Sequence, residues 1–184
     1  MSKMTVKEIL RETAQLLGLR AVVAYFDGDE EEQEEVHELL RCFNVVENEL
    51  ALDYLPLYAE TEVETTTGVV QYESLPFSIV RVLRVRDSAD ESVKYTLFPT
   101  YLKASAGKLT IAYTYAPQTK TLEDESDYQL QASKRLFAYG IAAEYALAQG
   151  AFEDAGIWDK KYKDALTAAY RARPCKILRS RRWA

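Results

Sequence analysis

The residue types that most often carry catalysis or bind metals are sparse in this chain. The only histidine is His37, and the two cysteines, Cys42 and Cys175, stand far apart. No second histidine or cysteine lies at the spacing that zinc sites use. A lone histidine without a nucleophile motif also gives no Ser–His or Cys–His pair. The pattern therefore predicts no metal site and no nucleophilic triad.

Carboxylates are the one abundant reactive group, and their densest run is "DGDEEEQEEVHE", residues 27–38. This run places oxygens at positions one, three, five and twelve of a calcium loop, but it lacks the glycine at position six. We therefore favour a helix start whose acids face solvent and match the positive end of the helix dipole. General acid–base catalysis needs buried or coupled carboxylates, whereas the acids of this chain cluster in polar segments.

The seven glycines form neither of the glycine-rich patterns that hold phosphates, so the sequence predicts no nucleotide cofactor. We expect that the protein is not an enzyme, that it has no catalytic residues, and that it takes no cofactor or metal.

Tyrosine is unusually frequent, with 13 copies. Several of them fall in a segment with strand character, among them Tyr95, Tyr101, Tyr113 and Tyr115. Bases could stack on them, but only Lys94, Lys103 and Lys108 accompany them, which is little positive charge for a nucleic-acid platform. Because tyrosine is a common anchor at protein interfaces, we favour an interface over base stacking.

Charge is distributed unevenly along the chain. The net charge is −6, yet the last fourteen residues hold six basic residues and no acid, which leaves 17 basic against 29 acidic residues before them. An acidic body is repelled by nucleic acid, and a basic tail seeks either phosphate or an acidic protein surface.

No charged start followed by an apolar middle is visible, and no apolar run approaches the ~20 residues that cross a bilayer. We expect a soluble protein made in the cytoplasm, with reduced thiols and no membrane partner.

Helix signals flank the chain's centre. Thr5 and Glu8 have capping-box spacing, and Gly18 would end the first helix. Apolar residues at helical spacing predict a second helix from about Asp29 to about Tyr54, before Pro56.

After the centre, Ser126 with Gln129 forms a second capping box and predicts the start of a third helix. That helix carries a stripe of mostly small residues that lets a neighbouring backbone approach: Ala132, Leu136, Gly140, Ala143 and Leu147. Gly150 would end it. A fourth helix is predicted from about Phe152 to Arg171, before Pro174.

The segment from Glu60 to Pro117 predicts four or five short antiparallel strands. Within it Ile79, Val82 and Val85 lie near one another, with Arg81, Arg84 and Arg86 interleaved.

Together these signals predict an α+β fold: an antiparallel bundle of about four helices, an inserted small antiparallel β-sheet or sandwich, and an extended C-terminal tail. The expected boundaries are 1–58 for the N-terminal helices, 59–117 for the β-subdomain, 118–171 for the C-terminal helical pair and 172–184 for the basic tail.

Several segments together resemble the head–tail adaptor (connector or neck) proteins of tailed bacteriophages. They are "LLRCFNVVENELALDYLPL", a β insertion closing in "IAYTYAP", the helical pair "LFAYGIAAEYALAQGAFEDAGIWDKKYKDAL" and the basic end "RSRRW". The resemblance covers most of the chain from about Val36. The β insertion is larger than in the all-helical members, which leaves open which neighbour the strands touch.

The resemblance implies a virion structural protein at the head–tail interface, assembled in the host bacterial cytoplasm. It would form a ring, usually dodecameric, beneath the portal, extend the DNA channel and offer a platform to tail or neck proteins. DNA would pass through without specific binding. In that family the C-terminal segment commonly docks on the portal, and the corresponding docking residues here are Lys176, Ile177, Leu178, Arg179, Arg181, Arg182 and Trp183.

The alternative is a nucleic-acid-binding assembly factor whose basic tail grips phosphate. It predicts DNA affinity that falls steeply with salt, whereas the adaptor predicts little DNA binding.

Overall fold

The structure is a computed structural model, and it describes residues 4–28, 34–129 and 131–171. The helices of these residues are α1 Val6–Leu17, α2 Arg20–Asp27, α3 Glu34–Glu49, α4 Lys134–Ala148 and α5 Phe152–Arg171. The strands are β1 Leu57–Thr65, β2 Val69–Gln71, β3 Ser78–Asp87, β4 Thr96–Leu97, β5 Tyr101–Lys103 and β6 Gly107–Ala116. The mixed helix-and-sheet class is thus as predicted, but the four-helix bundle is not confirmed, because the described residues contain five α-helices.

Local signals fix both ends of α1 as predicted. The hydroxyl oxygen of Thr5 accepts a hydrogen bond from the Glu8 amide at 3.3 Å, which satisfies one of the free donors of the first turn. Gly18 adopts φ 73° and donates its amide back to the last turn, a left-handed cap that glycine takes without a side-chain clash.

Helix α2 was not predicted. Its residues, "RAVVAYFD", are rich in β-branched and aromatic side chains, and no side chain caps its N-terminus. Val22 and Phe26 lie one turn apart and are both buried. Tertiary packing of this face therefore overrides the weak helix propensity of the segment.

The second predicted helix corresponds to α3 and a π-helical turn, Leu50–Tyr54, that continues it. The predicted end near Tyr54 is confirmed. The predicted start at Asp29 lies outside the described residues.

The predicted helix start at Ser126 is wrong, because α4 begins at Lys134 with Ser133 as its cap. The Ser133 hydroxyl accepts from the Leu136 amide at 3.2 Å. Ser126 and Gln129 hold the N-terminal segment instead. The Gln129 side chain accepts from the Met4 amide at 2.7 Å and donates to the Met4 carbonyl at 3.2 Å, and the Ser126 amide donates to the same carbonyl.

The small-residue stripe of α4 is confirmed at its centre. A Cβ on Gly140 would lie 2.9 Å from Cγ1 of Val46 on α3 and 3.0 Å from Cε2 of Tyr162 on α5, so glycine lets three helices meet. At the end of the stripe, Leu147 is 48% exposed. The fourth predicted helix is confirmed as α5, Phe152–Arg171.

Six strands form two three-stranded antiparallel sheets, with strand orders β1-β6-β3 and β2-β5-β4. This exceeds the four or five strands predicted. Strand β3 is shifted in register against β6 at two places, once between Ile79 and Arg81 and once between Val82 and Arg84.

Those two bulges explain the spacing of three among the apolar residues of β3. Each bulge inserts one residue, so Ile79, Val82 and Val85 all pair with inward-facing residues of β6 despite the strand's period of two.

Buried side chains form two clusters. One joins the helices, the π-turn and the segment before α4, and the other is formed by inward-facing residues of both sheets. Tyr115 on β6 packs against both clusters.

Candidate interaction surface

The side of the β1-β6-β3 sheet that faces away from the sheet cluster is the most distinctive surface of the described residues. We call it the outer sheet face. The strand pairing aligns three rows across it, which are Tyr58–Thr114–Arg81, Glu60–Ala112–Arg84 and Glu62–Thr110–Arg86.

Opposite charges are separated across this face. Strand β1 contributes glutamates and β3 contributes arginines. The central strand β6 contributes small residues and, at its start, Lys108, whose ammonium lies 2.7 Å from Glu62. Glu60 lies 3.9 Å from the Arg84 guanidinium and 3.6 Å from that of Arg86. The side chains of Glu60 and Arg84 remain more than half exposed, so water screens this pair and both groups can accept a further partner.

A groove of about 400 Å³ runs over the middle of the outer sheet face. Ala112 forms its floor, while Tyr58 and Glu60 flank it on one side and Leu83 and Arg84 on the other. Tyr58 is 61% exposed. Apolar walls with charged rims are typical of the recognition surfaces of proteins.

The two bulges also determine what β3 presents outward. The inserted residues, Val80 and Leu83, are 48% and 44% exposed. Bulges on an edge strand interrupt its ladder and hinder pairing with another strand. Strand β3 therefore exposes apolar side chains but has no regular edge with which another strand could pair.

Of the four tyrosines singled out from the sequence, three are half-buried and one is fully buried. Tyr113 is fully buried in the sheet cluster, and its hydroxyl lies 3.1 Å from that of Thr61. Tyr101 stacks on Phe98 with ring centroids 4.5 Å apart, and Tyr115 stacks on Phe77 at 4.4 Å. Tyr95 is half-buried. The expectation of half-exposed interface anchors is wrong for Tyr113, and the exposed tyrosine of the sheet is Tyr58, which sequence reasoning missed.

A second group of aromatic and basic side chains lies on α4 and α5. The Lys161 ammonium is 4.0 Å from the centre of the Trp158 ring, and Tyr139 stacks on Trp158 at 5.9 Å. Arg135 donates to the Tyr139 hydroxyl at 2.6 Å. These aromatic and basic side chains therefore contact one another within the helical pair.

The most deeply buried carboxyl group is that of Glu47 on α3, at 1% exposure. Its Oε1 accepts from the Ser126 hydroxyl at 2.7 Å and from the Asp127 amide at 3.1 Å, while Oε2 has no hydrogen-bond partner among the described residues. Burial raises the pKa of Glu47, and the two hydrogen bonds oppose that rise. Glu47 therefore holds the segment before α4 and has no access to a substrate.

The remaining sequence candidates are scattered over the described residues. Cys42 is buried between α3 and α4, and burial raises the pKa of its thiol to about 11, so the thiol is neutral at pH 7. His37 is exposed on α3. Asp27, the first position of the calcium alternative, accepts from Arg11 at 2.8 Å. The seven proposed docking residues, 176–179 and 181–183, lie outside the described residues.

No protein-family model matches this chain, and the search of curated proteins finds no match. Within residues 4–28, 34–129 and 131–171, no group of three or more metal-ligating side chains comes together. None of the helices in that part of the chain is long and apolar enough to span a membrane.

Proposed function

We propose that this protein is a virion structural protein that forms a head–tail adaptor ring beneath the portal of a tailed bacteriophage. In this proposal it extends the DNA channel, offers the attachment platform for the tail, and has no enzymatic activity. The helices act as the bundle at the body of the ring, and the sheets act as the inserted subdomain. The observation that supports it most is the outer sheet face, a rigid surface with segregated charges and exposed apolar side chains that suits a protein partner.

The charge distribution agrees with a channel wall. The chain before the basic end carries 29 acidic against 17 basic residues. An acidic wall repels phosphates and lets a genome slide, whereas each phosphate contact would add salt-dependent retention. Many copies of a modest contact would then close a stable ring through avidity.

The basic end follows α5 directly, and we propose that it docks on the portal. Its charged members, Lys176, Arg179, Arg181 and Arg182, would meet an acidic groove. Its apolar members, Ile177, Leu178 and Trp183, would provide the buried anchors that carry most interface energy.

The nucleic-acid alternative gains no support from the described surface. The arginines of β3 lie in the same rows as the glutamates of β1, so a phosphate backbone laid across the sheet would meet both signs. The basic end alone would have to bind DNA.

Deleting residues 173–184 tests the docking role. We expect the full chain to co-sediment with rings of the portal protein encoded in the same genome, and the shortened chain to remain in the supernatant with an unchanged thermal unfolding midpoint. Unimpaired binding by the shortened chain would contradict the docking role.

Two matched variants separate charge from apolar anchoring. One replaces Lys176, Arg179, Arg181 and Arg182 by glutamine, and the other replaces Ile177, Leu178 and Trp183 by serine. The glutamine variant should keep only part of the binding at low salt, because its long-range attraction to the portal is lost. The serine variant should not bind the portal. Fluorescence anisotropy with duplex DNA provides the competing readout, since tight binding that falls steeply with salt would favour the nucleic-acid alternative.

A further inference from the structure

We propose that the outer sheet face binds the same face of a second copy of this chain, with a two-fold axis running along β6. This inference goes beyond the adaptor proposal and does not depend on it, since it follows from the residues of one sheet alone.

The β3 edge of this sheet is not open to a partner strand. Strand β3 ends the sheet, but two bulges interrupt its first half. Its second half is already covered, because Arg86 bridges to Ser92 and the Val93 amide donates to the Val85 carbonyl at 3.0 Å. An edge of this kind resists continuation of the ladder by another chain.

The charge pattern selects one of the two symmetric ways to stack the faces. A two-fold axis across the strands would place β1 over β1 and set glutamates against glutamates. An axis along β6 places β1 of each copy over β3 of the other, so that the more than half-exposed Glu60 faces the second copy's equally exposed Arg84. Opposite charges meet only in this arrangement.

The shapes of the side chains suit the same axis. The central strand presents Thr110 and Ala112, whose small side chains allow two sheets to approach to the usual spacing of about 10 Å. Tyr58 of each copy would then lie above Val80, Arg81 and Leu83 of the other and cover the apolar wall of the groove.

The pairing is expected to be weak and salt-sensitive. Three strands about 4.8 Å apart and three rows of residues make a patch well below the roughly 800 Å² per partner of a standard interface. The charged rims are exposed, so salt screens them.

Charge reversal of one matched pair tests the proposal. We expect sedimentation equilibrium of the full chain, from micromolar to millimolar concentration at low salt, to show a monomer–dimer equilibrium. Arg84→Glu alone and Glu60→Arg alone should each weaken the dimer at least about tenfold, because each sets like charges opposite one another. An equimolar mixture of the two variants should recover the dimer, and so should the double variant.

The controls are Arg20→Glu on α2 and Glu153→Arg on α5, which make the same changes of charge on exposed helix positions. They should leave the dimer unchanged. A wild-type chain that stays monomeric throughout, single variants that dimerise like the wild type, or a mixture that fails to recover the dimer would each overturn the proposal.

A cross-link tests the axis itself. With Cys175→Ser in the background and Cys42 buried, Ala112→Cys places one accessible thiol on the proposed axis, opposite its own copy. A short bis-maleimide should join two chains through this position and should not join chains that carry Ala168→Cys, an exposed position on α5. Equal yields of cross-linked dimer from the two variants would contradict a two-fold axis along β6. Ring formation with the portal is scored separately, so a failure of the dimer can be distinguished from a failure of the adaptor proposal.

Discussion

The helical and sheet parts of the molecule use their residues in contrasting ways. The helical cluster is surrounded by several elements, with Phe43 and Phe137 stacked at 5.4 Å and Tyr128 tilted against Phe137 at 5.9 Å. The β1-β6-β3 sheet buries one face and leaves the other with exposed apolar and charged side chains. The contrast indicates that the helices carry most of the stability, and that the sheet can offer a recognition surface at little cost to the fold.

Removing a ring from the helical cluster should have the largest effect. Phe137→Ala deletes a fully buried side chain and should lower the free energy of unfolding by about 3–5 kcal/mol. Leu109→Ala, in the sheet cluster, should cost about 2–3 kcal/mol, because one side of its sheet faces solvent. Urea unfolding followed by circular dichroism measures both.

Since Tyr115 packs against both clusters, we expect a single transition in each of these variants. Hydrogen exchange should therefore rise together in α4 and β6. Faster exchange confined to β6 in Leu109→Ala would show that the two parts unfold separately, and this would contradict the single transition.

Filling the contact point of three helices should have the next largest effect. Gly140→Ala gains helix propensity, but its Cβ would lie 2.9 Å from Val46 and 3.0 Å from Tyr162. Overpacking should outweigh the gain and lower the free energy of unfolding by about 1–3 kcal/mol.

The matched control for that substitution is Gly156→Ala on α5, where an added Cβ meets nothing within 4 Å. It should raise stability by up to about 1 kcal/mol. A stabilising Gly140→Ala would contradict the close approach.

The buried carboxyl group of Glu47 should give a smaller, pH-dependent effect. Burial raises the pKa of Glu47 in the folded chain above 4.5, the ordinary value for a glutamate side chain. As the pH rises from there through the folded-state pKa, the unfolded chain releases its proton first, so the contribution of Glu47 to stability is lost. Relative to Glu47→Gln, the wild type should therefore lose stability across this window.

Thermal unfolding at a series of pH values measures the difference. Glu73→Gln, at an exposed position, is the control for removal of one carboxyl group. A wild type that gains stability over Glu47→Gln as the pH rises would contradict the burial argument.

Substitution on the outer sheet face should have the smallest effect on stability. Leu83→Ser changes a side chain that is 44% exposed, and the free energy of unfolding should change by no more than about 0.5 kcal/mol. The same variant should weaken self-association, because Tyr58 of the second copy would lose its apolar contact. A large loss of stability would show that Leu83 on the outer sheet face contributes substantially to the stability of the fold.

The sequence predicts the helices better than the strands because helix signals are local. A cap, an apolar period and a glycine stop fix α1 within a few residues of the chain, and an apolar period that ends before Pro174 fixes α5. The Ser126–Gln129 pair has the right spacing for a helix start, yet its partners are Met4 and Glu47, which are distant in sequence. Helix α2 forms because Val22 and Phe26 are buried by other elements.

The outer sheet face could be predicted only in part. The alternation of arginines with apolar residues in β3 is visible in the sequence, but the two bulges depend on pairing with β6, which is far along the chain. The groove likewise needs β1, β6 and β3 together. Tyr58 could have been found, since it lies beside Glu60 in a strand of alternating pattern.

Mass photometry of the full chain with the portal protein encoded in the same genome tests the central proposal most directly. We expect a portal complex that gains the mass of about twelve chains of 21.0 kDa each. The portal should gain no mass when residues 173–184 are removed from the chain. A portal mass that does not change in the presence of the full chain would contradict the adaptor function.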